Sequence, residues 1–323
     1  MAKKARLGSK IARRILRTLA VIFIVMNVIA VFHAYKFTHY TSETTTKIKK
    51  PEKLSGADIA KIIFFGINNP RPVNSIVPRQ PYTTLKLKSN KEIECWSVKA
   101  ANSKGTVILF HGYGGNKSGM VDKSDEFIKM GYSTLLVDFM GSGNSEGNQT
   151  TIGFYEAEQV KTCFDYLKQQ GETNIVLFGT SMGSVAIMKA IDDYKIQPSK
   201  IILECPFGTM YQTVCARFKV VGAPTFPMAE LLVFWGGLEN GFWAFGHNPV
   251  DYAKSVNTPA LLLYGEQDNR VSRTEIDQIF SNLKGPKQLK TYPLAGHENY
   301  LIKYKNAWVN DVSSFLSEKK LTL

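Results

Sequence analysis

The rhythm of hydrophobic and polar positions changes three times along the chain. Residues 19–32 form an almost unbroken apolar run that extends loosely to Tyr35, with Asn27 its one strongly polar member. A polar stretch over 38–74 follows, with a short amphipathic piece at 57–67, and it closes on Asn69-Pro70-Arg71-Pro72 and Pro78, an extended connector. From Tyr82 the pattern is that of a folded domain. Residues 82–87 and 92–98 alternate apolar and polar about Ser89-Asn90-Lys91, which predicts an antiparallel hairpin with one solvated face. The next runs, 106–110, 133–137, 175–178, 201–203 and 260–264, are continuously apolar and predict strands covered on both faces. Helical periodicity lies between them at 119–130, 153–170, 181–193 and 273–283. A last strand at 288–292 precedes a final helix at 300–316. Such alternation implies a mostly parallel sheet with right-handed crossovers.

Charge gives the first apolar run its meaning. Residues 1–50 hold 11 Lys or Arg and one acid, whereas the other 273 hold 29 against 26, so +10 of the net charge of +13 belongs to the tail. That distribution excludes a basic nucleic-acid-binding face on the folded domain. Seven basic residues over 3–17 precede the apolar run. The expectation is a basic N-terminus and transmembrane anchor over 1–37, with its N-terminus cytoplasmic and the domain on the extracytoplasmic side. The alternative is a signal peptide cleaved near Val28-Ile29-Ala30, releasing a secreted domain. A stalk and connector over 38–80 then leads to a domain over 81–323. Cys95, Cys163, Cys205 and Cys215 have no metal-ligand spacing; Cys95 and Cys163 read as buried apolar groups, and a Cys205–Cys215 bridge would require export. No metal or nucleotide motif is present, so no cofactor is expected.

The candidate chemistry sits just beyond strand ends, where open α/β sheets hold their working groups. The run at 175–178 stops at Gly179-Thr180-Ser181-Met182-Gly183, and a helical pattern begins at once. This is G-x-S-x-G in the setting it needs, because a sharp strand-to-helix turn holds a serine oxygen clear of the sheet. The turn also leaves the Met182 N–H free at a helix N-terminus. After 106–110 comes His111-Gly112-Tyr113-Gly114-Gly115-Asn116, whose Tyr113 N–H can join Met182 as a second oxyanion donor. His111 itself reads as a brace for that loop rather than as a base. After 133–137, Asp138 opens a glycine-rich loop and reads as a structural carboxylate. Asp268, after 260–264, is the candidate acid; Glu204 is a second possible acid, and Glu266 reads as solvated. His297, after 288–292, is the candidate base, and the chain order Ser181, Asp268, His297 is the one expected with such a turn. Between 203 and 260 a long insertion, with its cap expected over about 206–256, carries Phe226, Phe234, Trp235, Phe242, Trp243 and Phe245 among several glycines. It suits an apolar acyl pocket or a lid touching lipid.

Together, His111-Gly112 with its glycines, Asp138 with Gly141-x-Gly143-x-Ser145, Gly179-x-Ser181-x-Gly183, Gly265-x-x-Asp268 and Gly296-His297 resemble the α/β-hydrolases. The resemblance runs from about Tyr82 to Leu316. It is strongest to the serine-aminopeptidase-like and monoacylglycerol-lipase-like branch, including single-pass membrane members similar to the Bem family. It implies an eight-stranded, mostly parallel sheet flanked by helices, with its second strand antiparallel and the cap inserted after the sixth. Met140 stands where relatives often carry arginine, which bears on how the loop after Asp138 is braced. The function expected is a membrane-anchored serine hydrolase acting on an ester or thioester of a small, lipid-like acyl substrate. The alternatives are a serine peptidase of the same fold and a non-catalytic membrane-tethered binding protein.

Overall fold

The apolar runs from residue 82 onward become one eight-stranded sheet in a computed structural model that describes residues 2–42, 64–220 and 222–318, with side chains from residue 10. Of the expected stalk, residues 43–63 lie outside the described residues, and with them most of the amphipathic piece at 57–67. Two short strands, β1 (Tyr40–Thr41) and β2 (Asn69–Pro70), pair in parallel and close the chain across that segment. The main sheet comprises β3 (Tyr82–Lys88), β4 (Glu92–Val98), β5 (Thr106–Phe110), β6 (Ser133–Val137), β7 (Ile175–Thr180), β8 (Lys200–Glu204), β9 (Ala260–Gly265) and β10 (Lys287–Tyr292). Their order is β10-β9-β8-β7-β5-β6-β4-β3. Only β4 runs against its neighbours, pairing antiparallel with β3 and β6, and every other pairing is parallel.

Both faces of the sheet are covered, which is why its strands lack alternation. Along β5, Ile108 and Phe110 join the core on one face and Val107 and Leu109 the core on the other. Helices α3 (Glu156–Gln169), α4 (Met182–Tyr194) and α8 (Arg273–Asn282) cover the first face. Helices α2 (Val121–Lys129) and α10 (Lys305–Ser317) cover the second. Three expectations change. Strand β4 does not present a solvated face: only Glu92 is exposed, because the strand lies inside the sheet beside β6 and its Glu94 is buried against Lys117. The helix expected at 119–130 begins as a 3₁₀ turn over Lys117–Met120. The helix expected at 300–316 breaks at Tyr304 into α9 (Tyr300–Lys303) and α10, and the Tyr304 hydroxyl accepts from the Leu294 N–H at 2.8 Å.

At the N-terminus, α1 (Ala2–Thr38) is a single helix whose Lys10–Thr38 part is long and apolar enough to cross a membrane. Its last three turns pack on the insertion, which folds as α5 (Met210–Val220), α6 (Met228–Glu239) and the short α7 (Pro249–Tyr252). Ala30, Ala34 and Thr38 recur at i, i+4 and i+8 and are buried. A Cβ placed on Gly236 of α6 would lie 3.8 Å from the Ala34 methyl, so the two helices meet closely through small residues. Asn27, the polar interruption, accepts from Trp235 Nε1 at 3.0 Å and donates to the Phe23 carbonyl at 2.8 Å.

His247 anchors the base of the insertion. It is fully buried, 3.0 Å from the Ile152 carbonyl and 3.0 Å from the Tyr252 hydroxyl. Burial, with Lys189 adding to it against the pull of the Ile152 carbonyl, pushes its pKa down to about 4. The histidine is therefore neutral in the fold, while the unfolded chain takes up a proton near pH 6.5. Stability from this group is complete above that pH and falls as pH drops to about 4, by about 3 kcal/mol in all. Thermal unfolding of the detergent-solubilised chain should show this decline, and His247→Gln should flatten it; an unchanged slope in the variant would refute the assignment.

Candidate active site

Three loops at the carboxyl ends of β7, β9 and β10 converge. Ser181 occupies the turn between β7 and α4 at φ 50°, ψ −109°, a strained conformation for a residue with a side chain. The flanking glycines permit it: a Cβ on Gly179 would lie 2.4 Å from the Ser184 N, and one on Gly183 2.4 Å from the Phe110 carbonyl oxygen. Ser181 Oγ lies 3.1 Å from His297 Nε2, and His297 Nδ1 lies 2.7 Å from Asp268 Oδ2. The other Asp268 oxygen accepts the Arg270 and Val271 N–H groups at 2.8 and 3.0 Å, which fixes the carboxylate's orientation. That loop enters α8 through a capping box between Ser272 and Glu275. Burial alone would lower the His297 pKa, but Cys205 and the Asp268 carboxylate outweigh it, and the net direction is upward. The Asp268 carboxylate, 2.7 Å from Nδ1, would stabilise an imidazolium formed at His297.

The Tyr113 and Met182 N–H groups, the expected oxyanion donors, have no hydrogen-bond partner among the described residues. Gly112 packs against the serine turn, with its Cβ position 3.3 Å from the Thr180 carbonyl oxygen. The loop holding Tyr113 is braced by His111, whose Nδ1 lies 2.8 Å from the Gly112 carbonyl and whose Nε2 accepts from the Phe139 N–H at 3.1 Å. The two rival acids are otherwise engaged. Glu204 is buried and accepts from Trp308 Nε1 at 2.8 Å and from the Thr180 hydroxyl at 2.9 Å, with Lys123 at 3.6 Å. Glu266 is exposed and accepts from the Thr291 hydroxyl.

Several participants are not legible in the sequence. Lys117, fully buried, lies 2.8 Å from Glu94 and ion-pairs with Asp138, which also accepts from the Lys117 N–H, Asn74 and the Asn144 N–H. Arg71, from the proline-rich connector, donates to the carbonyls of Gly143, Ser145 and Gly147, so the loop after Asp138 is braced although Met140 is apolar. The end of α1 reaches the site: the Tyr113 hydroxyl donates to the Phe37 carbonyl at 2.7 Å, the two rings stack 4.8 Å apart, and Asn69 donates to the same hydroxyl. Cys205, at φ 40°, comes with Asp268 and His297 to within 4.8 Å of one another, and all four cysteines are free thiols, so Cys205 and Cys215 are not bridged. These are the one set among the described residues with metal-ligand chemistry, but both His297 nitrogens already face Asp268 and Ser181.

The site opens into a cavity of about 280 Å³, lined on one side by Ser181, His297 and the glycine loop and on the other by Phe207, Thr213 and Arg217 of the insertion. The arrangement can deprotonate a serine hydroxyl and present it, with two free N–H donors, to a carbonyl in a partly enclosed space.

Residues 101–232 match the family model for serine aminopeptidase, S33; the match includes Ser181 and ends before Asp268 and His297. The uncharacterized protein YqkD of Bacillus subtilis is 23% identical over 229 residues, 70% of this chain and 75% of that one. The lysophosphatidylserine lipase ABHD12 of Danio rerio is 25% identical over 189 residues, 54% of this chain and 47% of that one. Among solved structures, the esterase Pf2001 of Pyrococcus furiosus superposes with a TM-score of 0.64 at 22% identity, covering 77% of this chain and 97% of that one. The superposition, over an eight-stranded sheet whose second strand is reversed, gives this chain the α/β-hydrolase fold.

Proposed function

We propose that the chain is a membrane-anchored serine hydrolase that cleaves an ester or thioester of a lipid-like acyl substrate. The reading rests on one observation, the hydrogen-bonded series from Ser181 through His297 to Asp268 beside a cavity. His297 takes the Ser181 proton as the oxygen attacks the acyl carbonyl, and Asp268 holds the resulting imidazolium. The Tyr113 and Met182 N–H groups bind the developing oxyanion. When the tetrahedral species collapses, His297 returns the proton to the departing alcohol or thiol. A water molecule, deprotonated by His297, then releases the acid and restores Ser181. A peptidase of the same fold would need a carboxylate for a substrate amine, and the described cavity lining contains none.

In the same reading α1 crosses the membrane with its basic end cytoplasmic and the hydrolase domain on the other side. The helix continues unbroken through Ala30 to Thr38 and packs on α6, which supports an uncleaved anchor. The insertion turns Phe226 (76% exposed), Trp243 (64%), Phe234 and Leu238 outward, an apolar surface beside α1 that suits contact with lipid.

The full chain in neutral detergent should hydrolyse p-nitrophenyl esters, with kcat/KM rising from butyrate toward longer acyl chains by a few-fold per methylene until the cavity is filled. A fluorophosphonate should label Ser181. No turnover of any ester together with no adduct on Ser181 would overturn the proposal.

A further inference from the structure

The cavity beside Ser181 carries three basic side chains, Lys123, Arg217 and Arg270, and no acidic one. They differ in what they face. Lys123 is neutralised, 3.6 Å from the Glu204 carboxylate and 2.8 Å from Asn299 Oδ1. Neither Arg217 nor Arg270 forms an ion pair among the described residues. Arg217, from α5, lies with its guanidinium carbon 4.1 Å from the Phe37 ring centroid and 5.1 Å from that of Tyr113, whose N–H is the proposed oxyanion donor. Arg270 is tied to the acid loop, its N–H held by Asp268 at 2.8 Å. Both residues are solvent-exposed and line the same cavity. Two guanidinium groups lining one cavity that holds no carboxylate give it a positive potential, which favours a bound anion. Guanidinium groups also match the paired oxygens of phosphates and carboxylates.

We infer that Arg217 and Arg270 form an anion-binding subsite beside the oxyanion hole, so that the acyl substrate carries a phosphate or carboxylate on the part of the molecule next to the scissile bond. This inference rests on the proposed hydrolase function for its meaning but not for its test. Aromatic packing on one side of Arg217 leaves the edge of its guanidinium fork for the ligand. Lys123, already paired, contributes to the wall rather than to recognition.

The test is calorimetric titration of the full chain, in neutral detergent, with hexyl phosphate, hexanoate and hexanol. At least one anion should bind tenfold or more tighter than hexanol, and raising salt should weaken it. Which of the two binds tighter identifies the anion as phosphate or carboxylate. Arg270→Gln, on an exposed loop, should cut anion affinity by tenfold or more, and Arg217→Lys should retain more of it than Arg217→Gln. Hexanol binding as tightly as both anions, or undiminished anion binding in the Arg217→Gln/Arg270→Gln double variant, would overturn the subsite. Because binding is read without turnover, an inactive chain that still selects anions would count against the hydrolase reading alone.

Discussion

Replacing Ser181 with alanine is expected to lower kcat for ester hydrolysis by about five to six orders of magnitude while the chain stays folded. The size of the effect follows from the unit in which the serine acts. Without Ser181 Oγ the imidazole at 3.1 Å has no proton to take, and no covalent acyl intermediate can form. What survives is the catalysis by the Tyr113 and Met182 N–H groups on water attack, a small residue of the whole. Asp268→Asn should cost less, about four orders of magnitude, because the serine remains but the imidazole loses the partner that sets its tautomer and favours its charged form. The double variant should be no worse than Ser181→Ala, since the two groups serve one step. Steady-state kinetics on the three variants decides the matter, with circular dichroism to verify folding. Additive losses, or a Ser181→Ala variant with wild-type turnover, would remove the serine from the reaction. The strained backbone at Ser181 also predicts that alanine is accepted there at no worse than the wild-type strain, since both residues carry a Cβ.

The second large effect concerns stability. Lys117→Met should destabilise the fold by about 3–5 kcal/mol, read as a lower urea midpoint at constant slope. Lys117 is completely buried between Glu94 and Asp138, with its ammonium 4.5 Å from the Trp96 ring centroid. A methionine fills much the same volume, so little of the cost comes from packing. The cost arises because two carboxylates would remain in the interior without their cation. Neutralising both, in a Lys117→Met/Glu94→Gln/Asp138→Asn variant, should recover a substantial part of the loss. Lys117 starts the 3₁₀ turn that follows the glycine loop, and Met120 at the turn's end lines the cavity. Lys117→Met should therefore also reduce esterase activity by loosening the loop that carries the Tyr113 N–H. A variant with an unchanged urea midpoint would show that the buried ion cluster contributes nothing to the fold.

The main strands of the sheet, the order of the three loops that carry Ser181, Asp268 and His297, and the turn at Ser181 could be read directly along the chain. Each depends on local rules: continuous apolar runs for strands buried on both faces, and glycine where a backbone turns too tightly for a side chain. Tertiary structure decided what depends on distant segments meeting. It buried the edge-like β4 inside the sheet, drew Arg71 from the connector onto the loop beside Met140, and set the end of α1 against Tyr113. It also brought Arg217 and Arg270, 53 positions apart, to one cavity without a carboxylate. Periodicity and motif spacing record a residue's relation to its sequence neighbours, whereas ion pairs and cavity walls are made by residues that only folding brings together. That is why Ser181, Asp268 and His297 could be singled out from strand ends, while the cations, the aromatic support and the brace from α1 around them could not.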